Sequence, residues 1–328
     1  MVRLLILGFT LFLVGIPPAA AADQGVPSYW KWEWPQTAFE NASVDFKEII
    51  SGGPSKDGIP PIDAPLFQSI AEQREILSPT EPVISLSVDG DARAYPLRIL
   101  MWHEIVNDQI GGVPVAVTYC PLCNAAIVFD ARVNGAPTTF GTTGKLRNSD
   151  LVMYDRQTES WWQQFSGTAI VGERTGTQLK ILASRLESFE RFTQRLPHGK
   201  VLVPNEGSRR DYGKNPYVNY DSSEYPFLYR GPLPDGIPAL ARVVAVGDTA
   251  WALTLLRAKG AIRHGDLEIS WLAGQNSALD NEDISKGADV GNVVVQRIED
   301  HGKRVDVPYE VTFAFVFKAF RPEGELVQ

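Results

Sequence analysis

The sequence has no excess of positive charge. Its 328 residues include 39 acidic and 31 basic side chains, which gives a formal net charge of −8. Proteins that grip the phosphate backbone of nucleic acid need clustered lysine and arginine side chains. Nucleic acid is therefore not an expected partner. A globular chain is expected instead, because 44% of the residues are hydrophobic and 21% are charged.

The sequence also lacks a hydrophobic run long enough to cross a membrane, which takes about 20 residues. Its main apolar run covers residues 4–16, follows Arg3 and ends at Pro17. Alanines at 19–22 then resemble the cleavage site of a secretory signal. We predict a signal peptide at residues 1–22, a mature chain without a transmembrane segment, and export to the periplasm or the extracellular space. An uncleaved anchor is the alternative.

Cysteine is scarce, since Cys120 and Cys123 are the only two in the chain. In an exported protein an isolated pair usually forms a disulfide. A bridge across so short a loop removes little entropy from the unfolded chain, so stabilisation alone explains the pair poorly. The chain also has no Gly-x-Ser-x-Gly elbow, no phosphate-binding P-loop and no dinucleotide-binding glycine fingerprint. The cysteine pair is therefore the best candidate for a chemical centre.

Short β-type runs separated by turn residues dominate from residue 82 onward. Asp89-Gly90 and Gly111-Gly112 are signals for tight turns between strands. Strands are predicted at residues 83–88, 92–95, 104–110, 113–119, 125–133, 137–141 and 151–155. Helices are predicted near residues 66–75, 96–101 and 186–196. These patterns predict a β-rich α+β fold.

An internal repeat divides the chain. Residues 94–100 match residues 250–256, and each segment follows an apolar run and a Gly-Asp turn. Residues 188–201 resemble residues 312–326, which predicts a helix near 311–320 although the local composition favours a strand. The second copy has no counterpart of the cysteine pair, so the first copy is interpreted as the working one.

The domain organisation follows from this repeat. We predict two related subdomains, preceded by an irregular arm rich in Trp, Pro and Gly and joined by a connector rich in Pro, Gly and Tyr. The predicted units are the arm at 23–80, the first repeat with the Cys-x-x-Cys site at 81–203, the connector at 204–240, and a second, degenerate repeat at 241–328.

Cys120 and Cys123 stand at the end of a predicted strand with a proline between them, so both sulfurs should project from one stiff turn. That arrangement suits a metal site, a reversible dithiol or a purely structural pair. His103 is the preferred third metal ligand, although a hydrogen-bonded structural histidine is an even alternative. Met153 can complete a soft ligand set that favours copper, with core packing as its alternative reading.

Four carboxylates lie near these segments and can act as general bases or as partners of the ligands. They are Glu104, the candidate for a catalytic role, and Asp108, Asp130 and Asp150. Simple exposure to solvent at the surface is the alternative interpretation, and the preferred one, for most of them. Residues 161–164, Trp-Trp-Gln-Gln, can line a ligand groove or simply pack.

Several long motifs resemble the domain-of-unknown-function 3179 family of exported, mostly bacterial proteins. They are Ala94-Tyr-Pro-Leu97, Trp102-His-Glu-Ile-Val-Asn-Asp108, Val117-Thr-Tyr-Cys-Pro-Leu-Cys123 and Ser149-Asp-Leu-Val-Met-Tyr-Asp155. The resemblance runs from about residue 51 to the C-terminus and implies no activity, but it places His103 and both cysteines inside family motifs. Asn124 departs from the pattern, which has glycine after the second cysteine.

The sequence thus predicts an exported protein that binds a soft transition metal through Cys120, Cys123 and His103, with Met153 as a further ligand. Copper is favoured, zinc and iron are alternatives, and metal-dependent redox chemistry is one consequence. A thiol-disulfide protein and a non-catalytic module that binds a ligand or a partner are the competing hypotheses. The expected partner is a small molecule or a protein of unknown identity.

Overall fold

The computed structural model describes residues 25–205 and 210–328. The predicted signal peptide at 1–22 lies outside the described residues. Strands account for 39% of the described residues and helices for 18%, which confirms the predicted β-rich α+β class. Among the described residues, no helix combines the length and the apolar character needed to cross a bilayer.

The N-terminal segment contributes strands to two different sheets. It contains α1 (Ser28–Glu33), β1 (Ile49–Ser51), β2 (Leu66–Ser69) and α2 (Ile70–Gln73). The helix predicted near 66–75 starts only at Ile70, because residues 66–69 pair with residues 200–203 as a strand. Ser69 then caps the helix by accepting the backbone N–H of Glu72, which fixes where the helix starts.

Two tight hairpins form the next part of the chain. Its elements are β3 (Pro82–Val88), β4 (Asp91–Pro96), α3 (Leu97–His103), β5 (Ile105–Ile110), β6 (Val113–Cys120) and β7 (Ala125–Asp130). Gly111 and Gly112 have φ values of 53° and 80°, the left-handed conformation that a two-residue hairpin requires. The predicted strands and turns of this region are confirmed, and the hairpin of β5 and β6 carries Cys120 to the end of its second strand.

A second group of strands begins with a separate two-stranded hairpin, and its other members belong to the sheet beside the cysteines. Its members are β8 (Arg132–Val133), β9 (Ala136–Pro137), β10 (Phe140–Arg147), β11 (Asp150–Asp155), β12 (Trp161–Gln163) and β13 (Thr168–Val171). β1, β10, β11, β12 and β13 are neighbours in that order. The strand predicted at 137–141 is longer and lies at 140–147, because β10 pairs along its length with β11.

The rest of the chain completes two sheets of similar order. Its elements are β14 (Arg185–Ser188), α4 (Phe189–Arg195), β15 (Lys200–Val203), β16 (Arg242–Val246), β17 (Thr249–Ala252), α5 (Leu253–Lys259), β18 (Ala261–His264), β19 (Leu267–Leu272), β20 (Asn292–Ile298), β21 (Arg304–Asp306), β22 (Glu310–Phe313), α6 (Ala314–Phe320) and β23 (Glu325–Val327). One sheet has the order β14-β3-β4-β15-β2, and another has the order β22-β16-β17-β23. The helix predicted near 311–320 is present but starts at Ala314, since β22 pairs with β16 first.

The two sheets also share strand directions. β14 is antiparallel to β3 and β22 to β16, whereas β15 runs parallel to β4 and β23 runs parallel to β17. One continuous hydrophobic core joins residues from both halves of the chain, including Cys120, Cys123 and Met153. The halves therefore share buried apolar surface, the main source of stability in a packed protein.

A smaller aromatic core fixes the N-terminal segment to the β10–β13 sheet. Trp30 and Trp34 pack edge-on against Trp161, with ring centroids 5.0 and 5.4 Å apart. The buried ammonium of Lys145 lies 5.1 to 5.5 Å from the centroids of these three tryptophans and 2.8 Å from a carboxylate oxygen of Glu33. The ion pair and the cation–π contacts together stabilise a charge that burial would otherwise destabilise.

Gly144 is the point where this segment comes closest to β10. Its φ is 68°, and a Cβ atom added there would lie 1.9 Å from the carbonyl oxygen of Pro54. Both partners are backbone, so neither can move aside without shifting the segment. Gly135 has a comparable φ of 81° but open space around the Cβ position.

We predict that Gly144→Ala destabilises the protein much more than Gly135→Ala. The matched variant carries only the left-handed backbone penalty of about 1–2 kcal/mol, whereas Gly144→Ala adds the clash with Pro54. Urea unfolding monitored by tryptophan fluorescence measures the difference. Equal unfolding free energies for the two variants would contradict the close packing of this segment.

Candidate metal centre

The two cysteines lie on a short turn whose conformation the sequence dictates. β6 ends at Cys120, and Pro121–Cys123 form one turn of 3₁₀ helix with the proline at its first position. Asn124 ends the turn in the left-handed conformation, with φ 49°. Asparagine tolerates that conformation better than most side chains, so it can stand where the resemblance implied glycine.

The turn between β10 and β11 brings a carboxylate to the two thiols. Asn148 and Ser149 both have positive φ, which reverses the chain just before Asp150. Donor atoms of Cys120, Cys123 and Asp150 all lie within 4.8 Å of one another, and all three residues are buried. The carbonyl oxygen of Ser149 lies 3.8 Å from one sulfur and 3.5 Å from the other.

Asp150 is held from its other side. Its Oδ2 atom accepts hydrogen bonds from the side-chain amide of Gln163 at 2.6 Å and from the backbone N–H of Phe165 at 2.8 Å. Its Oδ1 atom is buried and accepts no hydrogen bond from an N–H or O–H group of the described residues, and the two thiols are the weak donors that act on this carboxyl group. A buried carboxylate oxygen without a partner is costly, which marks this atom as a position for a ligand.

Burial makes the site resist negative charge. It raises the pKa of both thiols, and the nearby Asp150 adds to the effect. It also raises the pKa of Asp150 itself to about 6, against the hydrogen bonds from Phe165 and Gln163. The dominant cause is desolvation, which penalises the charged form of an acid. The protein alone therefore favours protonated thiols, and a bound cation would reverse that preference.

Glu104 lies beside the same cluster. It ends α3 with a φ of 57° and a ψ of −34°, a strained combination for a residue other than glycine. Burial, with a further contribution from Asp150, raises its pKa to about 8. Neither Glu104 nor Asp150 forms an ion pair with a lysine or arginine of the described residues. The carboxylate that the sequence singled out for catalysis is thus poised to exchange a proton near neutral pH.

A cavity of about 170 Å³ adjoins the cluster. Glu104, Cys120, Lys145 and Tyr217 contribute its polar lining. The remainder is apolar or glycine: Gly52, Pro54, Ile59, Leu122, Gly144, Leu146, Leu151, Phe227 and Leu228. The N-terminal segment and the connector therefore each supply part of the wall around one cysteine.

His103 lies outside the cluster of three. Its Nδ1 atom is 2.7 Å from the carbonyl oxygen of Pro60, so this nitrogen carries the proton, and its Nε2 atom is 2.6 Å from the hydroxyl of Tyr212. Burial lowers the pKa of His103, which favours the neutral ring. Both nitrogens are engaged, so ligation by His103 requires one of these hydrogen bonds to break. It stays a prediction for metal analysis to test.

Most of the other candidate residues make packing contacts or ion pairs that account for their positions. Met153 is fully buried in the main core, opposite Trp162 in β12, and packing accounts for its burial. Asp108 pairs with Arg93, and Asp130 pairs with Arg132. Trp161 belongs to the aromatic core of the N-terminal segment. Gln163, by contrast, orients Asp150, so the tryptophan and glutamine motif contributes one residue to the site after all.

The second half of the chain holds the cysteine turn in place. The hydroxyl of Thr312 in β22 donates to the carbonyl oxygen of Cys123 at 2.8 Å. The hydroxyl of Tyr220, in the connector, donates to the carbonyl oxygen of Leu122 at 3.0 Å. The side-chain amide of Asn124 donates in return to the carbonyl oxygen of Val311. Three hydrogen bonds to two distant segments, β22 and the connector, thus fix the backbone from which both thiols project.

We predict that Glu104→Gln flattens the pH dependence of stability in metal-free protein. The carboxyl group has a pKa of about 8 when folded and 4.5 otherwise, so the folded state binds more protons between these values. The unfolding free energy should fall as pH rises from about 5 to 8, by up to about 5 kcal/mol at about 1.4 kcal/mol per pKa unit, and less in the variant.

Chemical denaturation at several pH values measures this dependence, with the exposed Glu323→Gln as the control that should keep it. Identical slopes for Glu104→Gln and the unsubstituted protein would show that Glu104 is not held in its neutral form.

A family model for a protein of unknown function, DUF3179, matches residues 56–324. No curated protein and no solved structure matches the chain. The matched range contains the cysteine turn, Asp150 and Glu104, and the motifs that suggested the resemblance lie within it. The chain belongs to the DUF3179 family of proteins of unknown function.

Proposed function

We propose that this protein binds a transition metal ion through Cys120, Cys123 and Asp150. The observation that carries the proposal is the meeting of two thiols and one carboxylate within 4.8 Å in a buried site. Burial without a compensating cation keeps both thiols protonated and opposes the ionisation of Asp150, and a metal ion would stabilise all three in their charged form. The free Oδ1 atom of Asp150 supports the same conclusion.

The donor set favours zinc, or iron, over copper. Copper was preferred from the sequence because a methionine ligand is soft, but the third group at the cluster is a carboxylate, a hard ligand. Zinc accepts both thiolate and carboxylate ligands. Its usual coordination number is four, so three protein ligands leave one position for water or a substrate.

A molecule could reach that fourth coordination position through the cavity. Cys120 and Glu104 both line it, so a molecule in the cavity can contact the metal and the glutamate together. A glutamate with a pKa of about 8 can donate or accept a proton near neutral pH. The metal would polarise the bound molecule, and Glu104 would accept a proton from that molecule or donate one to it. We therefore propose metal-dependent catalysis as the activity of the site.

A thiol-disulfide activity is the less favoured alternative. Both thiols are free in the structure and three positions apart, which permits a reversible bridge. Attack on a disulfide requires a thiolate, however, and burial raises the pKa of both groups.

The strands β14-β3-β4-β15 and the strands β22-β16-β17-β23 have the same order and the same directions. This match supports a further proposal, that the second half of the chain is a repeat of the first and has been retained as structural support. Export of the mature chain stays a prediction.

We predict that purified protein binds one zinc ion per chain and that Asp150→Asn and Cys120→Ser each abolish stoichiometric binding. Asp130→Asn is the matched control, because Asp130 is a buried aspartate paired with Arg132 away from the cluster. Elemental analysis after dialysis against buffered zinc gives the stoichiometry. A thiol count before and after chelation should show both cysteines protected only while zinc is bound.

His103→Gln distinguishes the two ligand sets. The proposed set predicts that this variant keeps its zinc, whereas the set predicted from the sequence requires weaker binding. Loss of zinc in His103→Gln together with full retention in Asp150→Asn would replace Asp150 by His103. Unchanged metal content in Cys120→Ser would overturn the site altogether.

A further inference from the structure

We propose that the cavity beside the metal centre takes a small, uncharged and mostly apolar molecule with one donor atom, such as an alcohol, a thiol or a carbonyl compound. This inference rests on the proposed metal site, because it assigns the molecule to the open coordination position. It adds a substrate class that follows from the charge, lining and size of the cavity.

Charge argues against an anion. Two thiolates and one carboxylate outweigh the charge of a divalent ion by one unit, so the loaded centre is still negative. Glu104 contributes further negative charge whenever it is ionised. The one lysine in the lining, Lys145, has its ammonium bound by Glu33 and surrounded by tryptophan rings. An organic anion would meet no free positive group among the described lining residues, and its desolvation would go uncompensated.

The walls argue against a strongly polar or cationic molecule. Ile59, Leu122, Leu151 and Leu228 line the cavity, and its polar groups besides Lys145 are Glu104, Cys120 and Tyr217, which lie close to one another. Apolar walls with a few convergent polar groups are typical of sites that bury an apolar body and orient one functional group. The negative centre and Glu104 would attract a cation, but the apolar walls leave Glu104 and the hydroxyl of Tyr217 as the groups that can replace its hydration shell, so most of its desolvation would go uncompensated.

Size sets the upper limit. The cavity has a volume of about 170 Å³. An engineered apolar cavity of about 150 Å³ in another protein binds benzene, so this cavity takes a molecule of roughly six non-hydrogen atoms. A chain of four carbons with one oxygen fits, and a chain of eight carbons does not.

The experiment compares isosteric probes with the full-length mature protein, with and without bound zinc. The probes are n-butanol, n-butyrate, n-butylammonium and n-octanol, and the readout is the methyl NMR signals of Ile59, Leu122 and Leu151. We expect n-butanol to shift these signals and to bind at least tenfold more tightly than each of the other three. Because the walls are the same in both forms, the preference should be present without metal and stronger with it.

Leu228→Trp should fill the cavity mouth and weaken n-butanol binding at least tenfold. The matched control is Leu233→Trp in the same connector, which lies outside the lining and should change nothing. Butyrate or octanol binding as tightly as butanol, or equal effects of the two tryptophan variants, would overturn the inference. Stoichiometric zinc with no preference among probes would overturn the substrate class alone. A preference without zinc binding would overturn the metal site and the assignment of the molecule to its open coordination position, and would leave the substrate class in place.

Discussion

The arrangement of this protein depends on the burial of acidic groups without a cationic side chain to balance them. Cys120, Cys123 and Asp150 meet at one buried point, and Glu104 lies beside them. Each charged form is destabilised by the loss of water, and the nearby acids repel one another. A fold that gathers such groups must keep them protonated or supply a positive ion. A bound cation would supply a positive partner for the buried Oδ1 atom of Asp150.

Long-range contacts create this constraint. The cysteine turn comes from the hairpin of β5 and β6, Asp150 from the turn before β11, and the support for the turn from Thr312 and Tyr220. The cavity wall includes Pro54, whose segment is fixed through the tryptophan core and the contact at Gly144. The second half of the chain therefore contributes to the site although it carries no cysteine. These contacts fix the backbone of the cysteine turn and so hold the two sulfurs at a defined separation, which a metal site requires.

Local patterns predicted the parts of the fold that short contacts determine. The Asp89-Gly90 and Gly111-Gly112 turns and their strands follow from alternation and glycine conformation, and the structure has them at nearly the predicted bounds. β2 was missed because its residues pair with a strand more than 130 positions later, at residues 200–203. The start of α6 was placed too early for the same reason, since pairing with β16 keeps residues 310–313 extended.

The candidate site, like the fold, could be predicted from the sequence only where local patterns determine it. The spacing of Cys120 and Cys123 and the nearby Glu104 were visible in the sequence. Asp150 was recognised only as one of four nearby carboxylates, because no spacing rule connects it to a turn about thirty residues earlier. The one available signal was the Asn148-Ser149 pair, whose turn conformation aims Asp150 at the sulfurs. The hydrogen bonds of His103 to Pro60 and Tyr212 depend on the tertiary fold, so the sequence could not show that both ring nitrogens are engaged.

X-ray absorption spectroscopy of the zinc-loaded protein tests the proposed centre most directly. The proposed ligands require two sulfur atoms at about 2.3 Å and two oxygen or nitrogen atoms at about 2.0–2.2 Å from the metal. Cys120→Ser, which should not hold zinc in stoichiometric amount, should lose this sulfur-containing first shell altogether. A first shell of oxygen and nitrogen alone, or the absence of bound metal from protein with both thiols intact, would contradict a metal centre at Cys120, Cys123 and Asp150.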